Sequence, residues 1–277
     1  MNAKKPVLVT TDGSAPSHRV LPHAALLATT LGAPLVLLQV SEDAEADAGR
    51  AAADATATLR RLGIDGEAVV EAQEAEEDTA AAILRVADRL DAAVLGIDSR
   101  GHGALRHALH GSVALDLLTT ASLPVLVSGP NLEPPAPEAA PYRVVATSDG
   151  SPASAEVLRR LASLGSDGGI AVTLLRVHEH EPGGRDNEAA VAACRDELEA
   201  ARRSLPASLN AHSIVREVPL GAGVDTAIIE TAQELGAHAI AMSTQGHSAR
   251  RHVVMGSVAM LLLGRSPLPL LLARAEV

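Results

Sequence analysis

The sequence contains no tryptophan, no phenylalanine and a single tyrosine, Tyr142. The aromatic platforms on which nucleobases stack are therefore almost missing. Positive charge is short as well: 23 Lys and Arg stand against 34 Asp and Glu, a net charge of −11. That balance disfavours binding to polyanions in bulk, and nucleic acid is not an expected partner. Lysine occurs only as Lys4 and Lys5, so the body of the chain has neither a phosphate-loop lysine nor a Schiff-base lysine. Cys194 is the one cysteine, which excludes an intramolecular disulfide and a cysteine-rich metal site. In a predicted helix over 186–204 it reads as a small, partly buried apolar filler. No apolar run reaches the about 18 residues of a membrane span, and the segment Met1–Pro6 does not have the form of a signal peptide. A soluble, cytoplasmic protein with no membrane partner is expected.

What the chain does have is itself, twice. Val7-Leu8-Val9-Thr10-Thr11-Asp12-Gly13-Ser14 returns as Val144-Val145-Ala146-Thr147-Ser148-Asp149-Gly150-Ser151. Gly101, nine residues and then Gly111-Ser112-Val113-Ala114 return as Gly246, nine residues and Gly256-Ser257-Val258-Ala259. Each half closes on a proline-bearing apolar strand, Leu123–Val127 and Leu268–Leu272. Three matched landmarks in one order identify a duplication. The halves cover residues 1–129 and 142–277. Residues 130–141 lie in a stretch from Gly129 to Pro141 that carries five prolines and reads as a semi-rigid extended linker with little to pack.

Within each half, apolar runs alternate with helical patterns. In the first half, strands are predicted at 7–11, 35–40, 67–71, 92–97 and 125–127, with helices near 17–31, 44–62, 79–90 and 112–120. The second half repeats the strands near 143–147, 170–177, 212–218, 238–243 and 269–273. Continuous apolar strands separated by helices describe a parallel α/β sheet covered on both faces. In such sheets ligands bind beyond the carboxyl ends of the strands, where strand order reverses. Asp12 and Asp149 fall at that end of a first strand. Gly111-Ser112 and Gly256-Ser257 follow a fourth strand and open helices, whose free N–H groups attract anions. The pattern describes a nucleotide cleft, with a carboxylate for an amino or hydroxyl group and a backbone cradle for phosphates. A plain turn and a plain helix cap would use the same residue types.

The Asp-Gly-Ser strand end and the long glycine loop closing on Gly-Ser are similar to the universal stress protein family, in its tandem-domain form, over essentially the whole chain. The resemblance implies two tandem doubly wound parallel five-stranded sheets of order 3-2-1-4-5, adenine nucleotide α-hydrolase-like. These would pair through their fifth strands as an intramolecular pseudo-dimer. It also implies an ATP-binding stress-response or regulatory protein, the ATP held with or without Mg. The implied nucleotide-binding residues are Asp149, Val177, Ser243, Gly246, His247, Gly256, Ser257 and Val258. In the first half they are Asp12, Val40, Gly101, Gly111, Ser112 and Val113, expected to bind less tightly.

That asymmetry rests on departures from the family loop, whose first glycine is Asp98 in one half and Ser243 in the other. A carboxylate beside a phosphate cradle repels polyphosphate by about 1–4 kcal/mol near a surface. Glu71, Glu74, Glu76, Glu77 and Asp78 crowd the third strand end of the first half, where the second has Gly221 and Gly223. His178-Glu179-His180 is read as a solvated loop rather than a metal pair, since metal sites need three or four ligands. His102 and His247 follow the loop glycine, and Arg106-His107 and Arg250-Arg251 read as solvated surface. Two other functions stay open: a scaffold that binds no nucleotide, and a slow ATP hydrolase, for which no general base or metal carboxylate pair is evident. A protein partner is expected but not identified, and two tandem chains could pair further.

Overall fold

A computed structural model describes residues 4–41, 44–99, 112–136, 141–180, 187–244 and 255–274, with backbone alone at 44–47 and 112. The first half runs β1 (Val7–Thr11), α1 (Leu21–Leu31), β2 (Leu35–Ser41), α2 (Ala44–Leu62), β3 (Glu67–Ala72), α3 (Thr79–Arg89), β4 (Val94–Asp98), α4 (Ser112–Thr120) and β5 (Val125–Ser128). The second runs β6 (Tyr142–Thr147), α5 (Pro152–Leu164), β7 (Ile170–His180), α6 (Asn187–Ser204), β8 (His212–Pro219), α7 (Val224–Glu234), β9 (Ala239–Ser243), α8 (Ser257–Arg265) and β10 (Leu270–Ala273).

All strands join one ten-stranded sheet in the order β3-β2-β1-β4-β5-β10-β9-β6-β7-β8. Each half thus has the order 3-2-1-4-5, and every pairing within a half is parallel. The halves meet where β5 and β10 run antiparallel, Val125, Leu126 and Val127 facing Leu272, Leu271 and Leu270. All six are buried, and each aliphatic side chain so buried contributes about 1.5–3 kcal/mol over leaving it in water. Because β5 and β10 are antiparallel, the carboxyl ends of the two strand sets leave the sheet in opposite directions.

Burial follows the pleat. Val7, Val9, Leu35, Leu37 and Leu126 face α1 and α2 in one core, which continues through Leu271, Val144 and Val172 to α5 and α6. Leu8, Leu38, Leu95, Val125 and Val127 face α3 and α4 in the other, continuous with Leu270, Leu272 and Ile240 under α7 and α8. Both cores cross the seam between the halves. Gly129, just past β5, lies so close to α8 that a Cβ there would sit 2.0 Å from the Leu263 carbonyl oxygen.

Three local expectations change. The helix expected from residue 17 is a 3-10 turn at Pro16–His18 followed by α1 from Leu21. Pro22 has no N–H to give and so belongs in a first turn, which places the start. The segment after β5 is not a loosely packed spacer. Arg19 Nη2 donates to the Pro130 and Leu132 carbonyls at 3.0 and 3.1 Å. Glu133 N donates to Pro267 O at 2.9 Å and Asn131 Nδ2 to Gly264 O at 2.9 Å. Backbone carbonyls, which its side-chain composition does not advertise, tie it to both halves. Finally, β7 extends to His180, whose backbone pairs with Pro219, so His178-Glu179-His180 is strand and not loop.

His23, on α1, is 1% exposed. Its Nε2–H donates to the Glu133 carbonyl at 2.7 Å, while Nδ1 is buried with no partner among the described residues. Burial pushes its pKa down from 6.5 to about 4, the Glu133 carbonyl opposing and the nearby His238 assisting. The unfolded chain therefore takes up a proton at a higher pH than the folded one. Stability intact above pH 6.5 drains as pH falls towards 4, by about 3 kcal/mol at most. His23→Gln keeps a donor for Glu133 but does not titrate. Its urea midpoint is expected to fall less between pH 6.5 and 4.5 than that of the unaltered protein, and parallel declines would exclude His23 as the cause.

Candidate functional site

Each Asp-Gly-Ser sequence forms a turn that its own aspartate closes. Ser14 N donates to Asp12 Oδ1 at 2.9 Å and Ser14 Oγ to the same oxygen at 2.5 Å. Ser151 N donates to Asp149 Oδ1 at 3.0 Å. A second hydroxyl pair braces each turn to the helix that follows, Thr11 Oγ1 with Ser17 Oγ at 2.8 Å and Ser148 Oγ with Ser154 Oγ at 3.3 Å. Asx geometry of this kind fixes a carboxylate at the strand end without help from the rest of the fold. Asp12 is exposed, whereas Asp149 is half-buried.

The neighbouring strand covers the second turn. Arg176, on β7, reaches over the second turn, with Nη1 3.4 Å from Ser148 O and 3.9 Å from Glu197. A Cβ on Gly150 would lie 2.9 Å from that guanidinium nitrogen, whereas one on Gly13 would meet nothing within 4 Å. The register equates Arg176 with Gln39 on β2. At the position of Arg176 the first half therefore has a neutral amide.

Next to β6 lies β9, Val144, Val145 and Ala146 pairing with Ala239, Ile240 and Ala241. With β7 on the other side of β6, strand order reverses between β6 and β9, where α/β sheets hold ligands. Beyond β9, Gly256 N donates to Thr244 O at 2.8 Å. That bond holds the start of α8 against the strand end. Gly256 is the N-cap, and no side chain among the described residues caps the helix. Its first-turn N–H groups point outwards as a partial positive charge. Asp149, Ser243, Gly256 and Ser257 thus gather at the carboxyl ends of two adjacent strands.

Val177 and Val258 are half-buried and pack on the second core. In the first half Val40 and Val113 occupy the same positions on that core, and Ser112 is the first residue of α4. Gly101, Gly111, Gly246 and His247 lie outside the described residues, as do His102, Arg106-His107 and Arg250-Arg251.

Asp98 and Ser243 differ in their partners as well as their charge. Ser128, beside Asp98 in the β4–β5 register, donates its hydroxyl to Asp98 Oδ2 at 2.5 Å. The matching pair in the second half is Ser243 and Ala273. A carboxylate and a hydroxyl on one side stand against a hydroxyl and a methyl on the other, a coupled change that reading Asp98 alone does not reveal.

Several of the acidic residues that crowd the end of β3 are paired. Arg85 donates to Glu71 and Glu77, Arg89 donates to both Glu71 oxygens, and Asp78 caps α3 by accepting from Ala81 N at 2.7 Å. Arg89, then Arg85, holds the Glu71 carboxyl down at about 2. At these strand ends the first half has Asp98 and Gln39 where the second has Ser243 and Arg176. Among the described residues no group of three or more His, Cys, Asp or Glu could hold a metal.

A tandem α/β protein with a switch point in each half is the class that this fold defines. The model of the universal stress protein family matches residues 4–128 and again 142–274, and the chain belongs to that family. It is similar over 99% of both chains to the crystal structure of a universal stress protein from Archaeoglobus fulgidus DSM 4304, at 19% identity and a TM-score of 0.65. A protein of unknown function from Pseudomonas aeruginosa PAO1 is similar at 17% identity and a TM-score of 0.62, covering 99% of this chain and 93% of that one. Both likenesses are of fold. No functionally curated protein matches the chain. No helix among the described residues is long and apolar enough to cross a membrane.

Ser128→Ala removes a hydrogen bond to a charged group, an interaction worth about 1.5–3 kcal/mol. Urea unfolding should show a loss of that order. A midpoint unchanged within error would mean that Ser128 does not support Asp98.

Proposed function

We propose that the protein is an ATP-binding regulatory member of its family and that the second half holds the nucleotide. One observation carries the reading: the Asp149 turn and the start of α8, where no described side chain caps the helix, stand at the carboxyl ends of the adjacent strands β6 and β9. Asp149 would meet the polar edge of adenine or a ribose hydroxyl, and the N–H groups at Ser257 and Val258 would meet phosphate oxygens. Val177 would give the base an apolar wall. Ser243 supplies a neutral hydroxyl where the first half has a carboxylate, and Arg176 adds a positive charge above the second turn. Bound Mg would neutralise phosphate charge.

The first half fits a second role. With Asp98 and Ser128 joined at its strand ends, it is better suited to supporting the sheet and presenting a surface to a protein partner. Hydrolysis is not part of the proposal, since positioned acid–base groups beyond a cradle would be needed.

ATP with Mg, titrated into the full chain in a thermal-shift experiment, should stabilise it by about 2.7 kcal/mol at a ligand concentration one hundred times Kd. Asp149→Ala or Ser257→Ala should abolish most of the shift, and Asp12→Ala should leave it nearly intact. No shift at millimolar ATP would remove the nucleotide reading. Equal losses from Asp12→Ala and Asp149→Ala would remove the preference for the second half.

A further inference from the structure

Beside β7 stands a group of side chains that the nucleotide reading does not use. His178 Nε2 lies 3.0 Å from Asn187 Oδ1, and Asn187 Nδ2 donates to Glu217 Oε2 at 2.9 Å. Cys194 Sγ lies 4.0 Å from His178 Nδ1. The order of these bonds fixes the proton. A carboxylate only accepts, so Glu217 turns the Asn187 amide nitrogen towards itself and the amide oxygen towards the imidazole. That oxygen can only accept, so His178 carries its hydrogen on Nε2 and presents the lone pair of Nδ1 to the thiol. Cys194 is half-buried on α6 and so remains open to a small reagent. The first half has Ser41 where the second has His178, so the arrangement belongs to the second half alone. A thiol, a base within reach and a third group orienting that base are the elements of an activated nucleophile.

We infer that Cys194, with His178 as its base and Asn187 as the residue positioning that base, is a site of reversible oxidation by small hydroperoxides. The Cys194 proton passes to His178 Nδ1, and the thiolate electron pair attacks one oxygen of the hydroperoxide. The O–O bond breaks as the S–O bond forms, and the departing oxygen takes the proton from His178. The products are a sulfenic acid on Cys194 and one molecule of water or alcohol; sulfur loses two electrons and the peroxide gains them. With no second cysteine in the chain, the sulfenic acid cannot close an internal disulfide. It is resolved by an external thiol as a mixed disulfide.

The test exposes the full chain to hydrogen peroxide and traps sulfenic acid with dimedone, reading the adduct on Cys194 by peptide mass spectrometry. The folded protein should form the adduct about tenfold or more faster than the same chain unfolded in urea, as expected of a positioned base. His178→Gln and Asn187→Ala should lower the folded rate towards the unfolded one with melting temperatures little changed. Added imidazole should restore part of the rate in His178→Gly, which a packing role for His178 would not produce. Equal rates for folded and unfolded chain, or an undiminished rate in folded His178→Gln, would overturn the assignment.

Discussion

The antiparallel junction of β5 and β10 is the constraint on which the rest of the molecule depends. Four-residue strands such as these expose too little area to be stable alone, and each half would end on an open apolar edge without the other. Joining them buries Val125 to Val127 against Leu270 to Leu272 and makes both cores continuous across the chain. The close approach of Gly129 to α8 and the bonds from residues 130–133 to both halves tighten the same junction. The antiparallel sense also sets the functional layout. It turns the two switch points away from each other, so the two strand-end sites are independent.

That independence lets the two sites diverge. Among the described residues the changes at the strand ends are local. Asp98 with Ser128 replaces Ser243 with Ala273, and Gln39 stands where Arg176 bends over the Asp149 turn. Each alters charge at a strand end while leaving the buried pattern alone. The scaffold supports these changes because they lie at the ends of its strands. His178, Asn187, Cys194 and Glu217 follow the same rule, near the ends of β7 and β8 and on the helix between them.

Most of the fold was legible because its signals are periodic and repeated. The apolar runs at Val7–Thr11 and Val125–Val127, the duplicated Asp-Gly-Ser turns, the helix starts at Ser112 and Ser257, and the alternation of strand and helix all survive in the structure. Less legible were features that depend on a partner distant in the chain. That Arg85 and Arg89 neutralise Glu71 and Glu77 follows from helix α3 lying beside β3, which charge spacing alone does not convey. The reach of β7 to His180 depends on β8 continuing beside it to Pro219. The role of Ser128 is visible only once β4 and β5 are in register. The Cys194–His178 contact joins a helix to a strand end, and composition can present that cysteine only as a small apolar residue.

The proposed function requires one nucleotide site in the second half and none in the first. Native mass spectrometry of the full chain, with ATP and Mg in excess, counts the nucleotides directly. The account predicts a single ATP per chain. Two equivalent ATP molecules would contradict the divergence of the halves, and none would contradict the cleft itself.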